Sequence, residues 1–153
     1  MSSRFDLPRR ALLSLFGAGL IATPARASST APGPIIQPVP ASTQAFIKRA
    51  FDMRSEARRT GDQAYGAIVV RDGEIIGQSP SRVIVNTDPT AHAEIEAIRD
   101  AARRLGERDL SGAILYSSSH PCPMCEAAAY WAGIARMVHG DAASDGGAPS
   151  LCG

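Results

Sequence analysis

Two short stretches of the chain hold residue types that can bind a metal ion. His92 and Glu94 are two positions apart, and Cys122 and Cys125 form a C-x-x-C pair that follows Pro121. One imidazole and two thiolates supply three ligands of a tetrahedral zinc site and leave the fourth position open, which is typical of catalytic zinc. We therefore predict that His92, Cys122 and Cys125 bind zinc, one ion per chain.

Glu94 is the candidate general acid and base of this site. Residues two apart on an ideal helix point about 200° apart, so the side chains of His92 and Glu94 can converge only where a helix begins. A carboxylate beside a zinc-activated water can move protons without binding the metal. H-x-E followed by P-C-x-x-C is the signature of zinc-dependent base deaminases. The sequence thus predicts a hydrolytic deamination with Glu94 as the proton carrier.

The first half of the domain is predicted from its hydrophobic pattern. Apolar residues at helical spacing indicate a helix that begins near Ser42 and is ended by Gly61. Asp72-Gly73 lies between two runs rich in β-branched residues, which predicts a hairpin. Residues 82–85 are expected to form a further extended stretch.

The second half contains both chemical stretches. A helix is predicted from about His92 to Leu105, with Thr90 as its N-cap and Gly106 after its end. The elements after it are a short buried strand over 113–117, a helix from Pro121 to Gly133 and a strand over 136–139. Helices that alternate with strands imply a three-layer α/β domain with at least one parallel crossover.

The first 27 residues are typical of an export signal. Arg9-Arg10 precede an apolar run that is too short to span a bilayer, and Ala25-Arg26-Ala27 is a small-x-small cleavage site. The paired arginines indicate the twin-arginine route of a bacterium and a periplasmic or otherwise exported protein. An amphipathic terminal helix or a retained anchor is the alternative.

Composition and charge limit the partners. The chain has 153 residues, 44% of them hydrophobic, which is enough for one compact domain. Cleavage after Ala27 would leave 12 basic and 14 acidic residues, a net charge of −2. Such a surface lacks the cationic excess that nucleic acid binding requires. We expect a small-molecule base or nucleoside as substrate, no nucleic acid partner and no stable membrane insertion.

The chain resembles the cytidine deaminase-like superfamily, and within it the branch of guanine deaminases and nucleoside or base deaminases. Residues 88–95 and 121–125 carry the resemblance, and Tyr130-Trp131 is more similar to guanine deaminases than to tRNA adenosine deaminases. The resemblance implies a three-layer α/β/α fold around a mixed sheet, an oligomer such as a homodimer, and a substrate contact from the Ala93 backbone N–H. Trp131 is a candidate substrate-binding residue, and packing in the core is the alternative.

Three features depart from the pattern of that branch. Ser81 stands where the branch has a substrate-contacting asparagine, so Ser81 is the candidate substrate-binding residue here. His120 replaces the glutamate that usually precedes Pro-Cys. The branch continues with another helix and strand, whereas residues 141–153 are rich in Gly, Ala and Ser, so we expect the usual C-terminal elements to be missing and this tail to be flexible.

The predicted domain order is a signal peptide over 1–27, a Pro/Ser-rich linker over 28–41, a zinc-dependent deaminase domain over 42–140 and the tail over 141–153. The leading function is a hydrolytic deaminase of a nucleobase or nucleoside, with guanine as first choice. The alternative is an exported zinc-binding protein of the same fold that has lost catalysis. A third hypothesis is a thiol–disulfide protein, because an exported C-x-x-C pair can form a disulfide. The roles of His120 and Cys152 stay open.

Overall fold

The computed structural model describes residues 33–151. The predicted signal peptide, the first residues of the predicted linker and Cys152 lie outside the described residues. Within residues 33–151, no helix has the length and apolar character needed to cross a membrane.

Helices and strands alternate along the described chain. Its elements are α1 (Thr43–Arg59), β1 (Gly66–Arg71), β2 (Glu74–Pro80), α2 (Ala93–Leu105), β3 (Ile114–Ser117), α3 (Pro123–Trp131), β4 (Arg136–His139) and β5 (Ser144–Gly147). The strands form one sheet in the order β2-β1-β3-β4-β5. β3 and β4 pair in parallel and the other neighbours pair antiparallel, so the sheet is mixed.

Helices cover both faces of the sheet, which confirms the predicted three-layer α/β/α architecture. Ile68 and Val70 of β1 pack in the same cluster as Phe46 and Met53 of α1. Their neighbours Ala67 and Val69 point to the opposite face because side chains alternate along a strand. That second face packs against α2 and α3 through a core whose helical members are mostly alanines, namely Ala93, Ala97, Ala101 and Ala129.

The turn chemistry agrees with the sequence at the hairpin and at two helix ends. Asp72 and Gly73 both have positive φ, 53° and 79°, as a two-residue type I′ hairpin requires. Gly61 follows the end of α1 with φ 77°. Gly106 ends α2 in the left-handed conformation with φ 70°.

Two helix starts differ from their predicted positions. His92, not Thr90, is the N-cap of α2. The Thr90 hydroxyl donates instead to the Asp88 carboxylate at 2.7 Å, which completes a turn before the helix. α3 begins at Pro123 rather than near Pro121, because Pro123 occupies the first turn, where a missing N–H costs nothing.

The prediction of an extended stretch over residues 82–85 is wrong. These residues begin a turn in which the Asn86 N–H donates to the Arg82 carbonyl at 2.9 Å and the Asp88 N–H donates to the Val83 carbonyl at 3.0 Å. The β-branched composition favours a strand, but none of the strands within residues 33–151 pairs with this stretch.

The prediction of a flexible tail is wrong for the part of the tail that the structure describes. Residues Ser144–Gly147 form β5, which pairs antiparallel with β4. Arg136 and Asp145 form an ion pair across these strands at 3.3 Å. The Glu126 carboxylate accepts hydrogen bonds from the Ser150 N–H and hydroxyl at 3.0 and 3.1 Å, so the segment after β5 contacts α3.

Part of the predicted linker also contacts the domain. The side-chain amide of Gln37 accepts from the Ile75 N–H and donates to the Ile75 carbonyl, both at 2.8 Å. β2 lies at the edge of the sheet, so Gln37 satisfies backbone groups that an edge strand leaves unpaired. On the same strand, the Gln78 N–H donates to the buried Asp100 carboxylate at 3.0 Å.

Close packing of α2 on β2 gives a test of the fold. An added Cβ at Gly77 would lie 2.5 Å from both the Ala97 carbonyl oxygen and the Ala101 nitrogen. We expect Gly77→Ala to lower the free energy of unfolding by about 2–3 kcal/mol, because helix and strand must move apart. The control is Gly33→Ala, whose Cβ would meet no atom within 4 Å. Equal urea midpoints for the two variants would contradict this packing.

Candidate metal centre

The strand directions bring the two chemical stretches to one edge of the sheet. β1 runs antiparallel to β2 and to β3, so β2 and β3 run in the same direction, and β4 runs parallel to β3. The carboxyl ends of these three strands therefore meet at one edge, where ligands bind in α/β sheets. α2 follows the end of β2 and α3 follows the end of β3, so both helices begin at this edge.

His92 and Glu94 occupy the geometry that the sequence requires for convergence. His92 is the N-cap of α2, with extended backbone at φ −62° and ψ 151°. Glu94 lies in the first turn of the same helix and is 4% exposed. The change from extended to helical backbone between the two residues lets both side chains point to one place, which two positions inside a helix could not do.

The cysteines are arranged in a similar way at the start of α3. Cys122 is the N-cap, with φ −76° and ψ 167°, and Cys125 lies in the first turn and is fully buried. Residues three apart at a helix start lie on the same face. Both thiols are free, and their sulfurs are 3.6 Å apart. The predicted disulfide alternative is therefore not the state that the structure describes.

The donor atoms fit a tetrahedral zinc ion. The Nδ1 atom of His92 lies 3.7 Å from the Cys122 sulfur and 3.6 Å from the Cys125 sulfur. Zn–S bonds of about 2.3 Å and Zn–N bonds of about 2.0–2.1 Å, at tetrahedral angles, separate two sulfurs by about 3.8 Å and a sulfur from a nitrogen by about 3.6 Å. These three residues form the metal-ligand cluster found among the described residues.

The electrostatics of the cluster favour a bound cation. Burial, and after it the negative charge of Glu94, raises the pKa of the Cys125 thiol well above its usual range. Zinc binds the thiolate and deprotonates the thiols that coordinate it. The positive end of the α3 dipole also stabilises a thiolate at the helix start. The site is thus unfavourable for an isolated thiolate and becomes favourable when a divalent cation compensates the charge.

Glu94 lies against the cluster without belonging to it. The Cys125 thiol is 3.6 Å from the Glu94 Oε2 atom. Burial raises the pKa of the Glu94 carboxyl, and hydrogen bonds from its own backbone N–H and from Cys125 offset this rise only in part. A raised pKa makes the carboxylate a stronger proton acceptor, which suits a general base. Among the described residues, Glu94 is therefore the best placed to move protons beside the metal.

The candidate substrate residues occupy different environments. Ala93 is buried at the first position of α2, and its N–H is one of the donors that a helix start leaves without an intrahelical partner. Ser81 is 1% exposed, and its hydroxyl donates to the Asp62 carboxylate at 2.8 Å. Ser81 is thus engaged within the protein.

Trp131 and His120 lie at the surface. Trp131 is at the end of α3 and is 75% exposed, with its ring edge-on to Tyr130 at 5.7 Å between centroids. Its side chain does not contribute to the core. The His120 ring contacts the His139 ring at 4.5 Å, and its Nδ1 atom lies 2.7 Å from the Pro121 carbonyl oxygen.

Sequence analysis missed Asp62 as a residue of this region. Its carboxylate accepts hydrogen bonds from the Ser81 hydroxyl and from the N–H groups of Ile84 and Val85, at 2.8–2.9 Å. These partners are 19 to 23 residues away in the chain. No local pattern indicates such a contact, and Asp62 stands in the sequence as an ordinary polar residue after Gly61.

The ligand geometry predicts about one zinc ion per chain in the purified protein. Cys122→Ser should lose most of the zinc, because a hydroxyl is a much weaker ligand than a thiolate. Cys152→Ser, which changes the cysteine outside the cluster, should keep it. Elemental analysis and thiol titration measure both quantities. A metal-free wild-type protein with a Cys122–Cys125 disulfide would contradict the assignment.

Known proteins share this part of the chain. Residues 40–141 match the family model of the cytidine and deoxycytidylate deaminase zinc-binding region. Guanine deaminase from Bacillus subtilis is 46% identical over 90 residues, which are 58% of this chain and 58% of that protein. The tRNA-specific adenosine deaminase from Aquifex aeolicus is 40% identical over 93 residues, 61% of this chain and 62% of that protein. The matches thus span about three fifths of these curated relatives.

The fold agrees with the sequence match. The X-ray structure of guanine deaminase from Bacillus subtilis superposes with a TM-score of 0.63 at 40% identity and covers 71% of this chain and 72% of that one. The matched region of the family model includes His92, Cys122 and Cys125. The chain therefore belongs to the cytidine and deoxycytidylate deaminase family, whose zinc-binding region includes these three residues, and their donor atoms are close enough together to hold one zinc ion.

Proposed function

We propose that this protein is a zinc-dependent hydrolytic deaminase that removes an exocyclic amine from a nucleobase or nucleoside, with guanine as the preferred substrate. The observation that carries the proposal is the buried Glu94 carboxylate beside three convergent zinc ligands, 3.6 Å from the Cys125 sulfur. Zinc that only stabilises a fold needs no such carboxylate, because structural sites are closed by four protein ligands.

Each group has a defined role in the reaction. A zinc ion held by His92, Cys122 and Cys125 would lower the pKa of water to about 7 and so would supply a nucleophile at neutral pH. Glu94 accepts one proton of the attacking water and passes it to the ring nitrogen, and it then takes the remaining proton from the hydroxyl of the adduct and passes it to the departing amine. The C–N bond breaks, ammonia leaves and a carbonyl remains on the ring. In this proposal the Ala93 N–H, one of the donors left free at the start of α2, donates to the edge of the base.

A purine base is favoured over a tRNA substrate by charge and by similarity. The relative with 46% identity is a guanine deaminase, whereas the tRNA-specific enzyme from Aquifex aeolicus is 40% identical. A chain cleaved after Ala27 would carry a net charge of −2. An RNA partner would gain little electrostatic attraction from that surface at physiological salt.

The non-catalytic alternative has less support. Ser81 in place of an asparagine and a missing C-terminal part would favour this alternative, but residues 144–147 form β5 and Ser150 contacts Glu126 of α3. Burial of the Glu94 carboxylate beside Cys125 lowers the stability of the fold, and a zinc site that only stabilises the fold does not need this carboxylate.

Glu94→Gln tests the assigned proton carrier. The amide keeps the shape of the side chain but cannot exchange protons, so we expect ammonia release to fall by about 10²–10⁴-fold while zinc content stays unchanged. The matched control is Glu96→Gln on the same helix, because the Glu96 carboxylate pairs with Arg99 at 2.6 Å. Glu96→Gln should retain activity. Equal turnover of Glu94→Gln and wild type would remove Glu94 from the mechanism.

A substrate panel tests the choice of guanine. Zinc-loaded protein should release ammonia faster from guanine than from adenine, cytosine, the corresponding nucleosides or pterins, measured as kcat/KM for each. Guanine turnover at or below the level of cytidine would contradict the proposed preference. If the protein released ammonia only from a tRNA anticodon stem and from none of the small molecules, the net charge would not be what decides the substrate class.

A further inference from the structure

Asp62 is a buried acidic residue outside the metal-ligand cluster. It follows α1 and is 8% exposed. Its Oδ1 atom accepts from the Ser81 hydroxyl at 2.8 Å and from the Gln63 N–H at 2.7 Å. Its Oδ2 atom accepts from the N–H groups of Ile84 and Val85, both at 2.9 Å. The carboxylate thus uses both oxygens, each with two donors.

The protonation state of Asp62 strengthens these contacts. Burial raises the pKa of this carboxyl, but the four hydrogen bonds outweigh burial and hold the pKa below its usual value. Asp62 is therefore ionised at neutral pH. Hydrogen bonds to an ionised acceptor are about twice as strong as those between neutral groups.

The partners of Asp62 belong to the segment that leads to His92. Residues 81–91 connect β2 to α2, and we call this segment the β2–α2 loop. The loop is closed at its base, because the Arg82 N–H donates to the Ala91 carbonyl at 3.0 Å. The Asp88 N–H donates to the Val83 carbonyl at 3.0 Å. This hydrogen bond connects the first arm of the loop, residues 81–85, to the second arm, residues 86–91. His92 is the next residue after the loop.

Asp62 contacts one arm of the loop and the metal ligand follows the other arm. Ser81, Ile84 and Val85 lie on the first arm, which Asp62 holds against the end of α1. The backbone hydrogen bonds between the arms then fix the second arm and the extended backbone of His92. Since Ile84 and Val85 are more than half exposed, their side chains contribute little packing that could hold the loop instead.

We propose that Asp62 is a positioning residue of the zinc site, which fixes the β2–α2 loop and thereby places the Nδ1 atom of His92 toward Cys122 and Cys125. Because the Ser81 hydroxyl donates to Asp62, it is not available to a substrate. Ser81 thus helps to position the β2–α2 loop and does not bind substrate. The proposal depends on zinc binding by His92 and does not depend on which base is deaminated.

The test measures zinc affinity of Asp62 variants by competition with a chromophoric chelator. Asp62→Ala removes the acceptor for four donors, and we expect its zinc dissociation constant to rise by about tenfold or more, as for other residues that orient metal ligands. Asp62→Asn should fall between Asp62→Ala and wild type. Its amide oxygen can still accept from Ile84 and Val85, but its NH₂ group cannot accept from Gln63.

Asp109 offers a matched control. Its carboxylate also accepts from a serine hydroxyl and a backbone N–H, both of Ser111, at 2.5 and 3.0 Å. It precedes β3 and therefore lies at the edge of the sheet opposite the zinc site. Asp109→Ala should lower the urea midpoint but keep the zinc dissociation constant within about twofold of wild type. The turn at Asp109 leads into β3 and is not adjacent to a metal ligand.

Cobalt substitution provides a second measurement that general loss of stability does not change. At saturating cobalt, folded Asp62→Ala should show weaker and shifted cobalt d–d bands, because these bands depend on the placement of every ligand and His92 is less well placed. An unchanged zinc dissociation constant and an unchanged cobalt spectrum, together with a lower urea midpoint, would overturn the proposal and make Asp62 a purely structural residue. If Asp62→Ala does not fold, the same two measurements on Asp62→Asn decide the question.

Discussion

Three donor atoms from two different helices must meet within a space that fits one metal ion. The His92 nitrogen and the sulfurs of Cys122 and Cys125 are 3.6–3.7 Å apart, although His92 is 30 and 33 residues away from the two cysteines in the chain. This separation is close to that of ligands around tetrahedral zinc. Three features bring the donor atoms to this separation: the strand directions, the two helix starts and the loop before α2.

The packing of small residues determines how closely α2 approaches the sheet. α2 presents alanines to β1 and β2, and Gly77 lies directly beneath it, with no room for a side chain. Such an interface leaves little freedom for the helix to shift, since a shift would create voids or clashes. His92 and Glu94 lie at the N-terminal end of α2. Tight packing of the rest of this helix therefore limits the movement of both side chains relative to Cys125.

The sequence was sufficient for the parts of the site that local chemistry determines. The residue types and spacing of His92, Glu94, Cys122 and Cys125 predicted that these four side chains converge, and the periodicity predicted a three-layer fold. The sequence did not predict the local structure that depends on contacts between residues far apart in the chain. Residues 82–85 favour a strand locally but turn because none of the strands within residues 33–151 pairs with them. Residues 144–147 lack strand-forming side chains but pair with β4, and Asp62 acts on residues about twenty positions away.

The central claim, a zinc ion with two sulfur ligands, one imidazole and one open position, is tested most directly by X-ray absorption at the zinc edge of the purified protein. The account predicts two sulfur scatterers at about 2.3 Å and two lighter atoms at about 2.0–2.1 Å, one of them from an imidazole. A shell of four sulfurs, or a shell without sulfur, would contradict it.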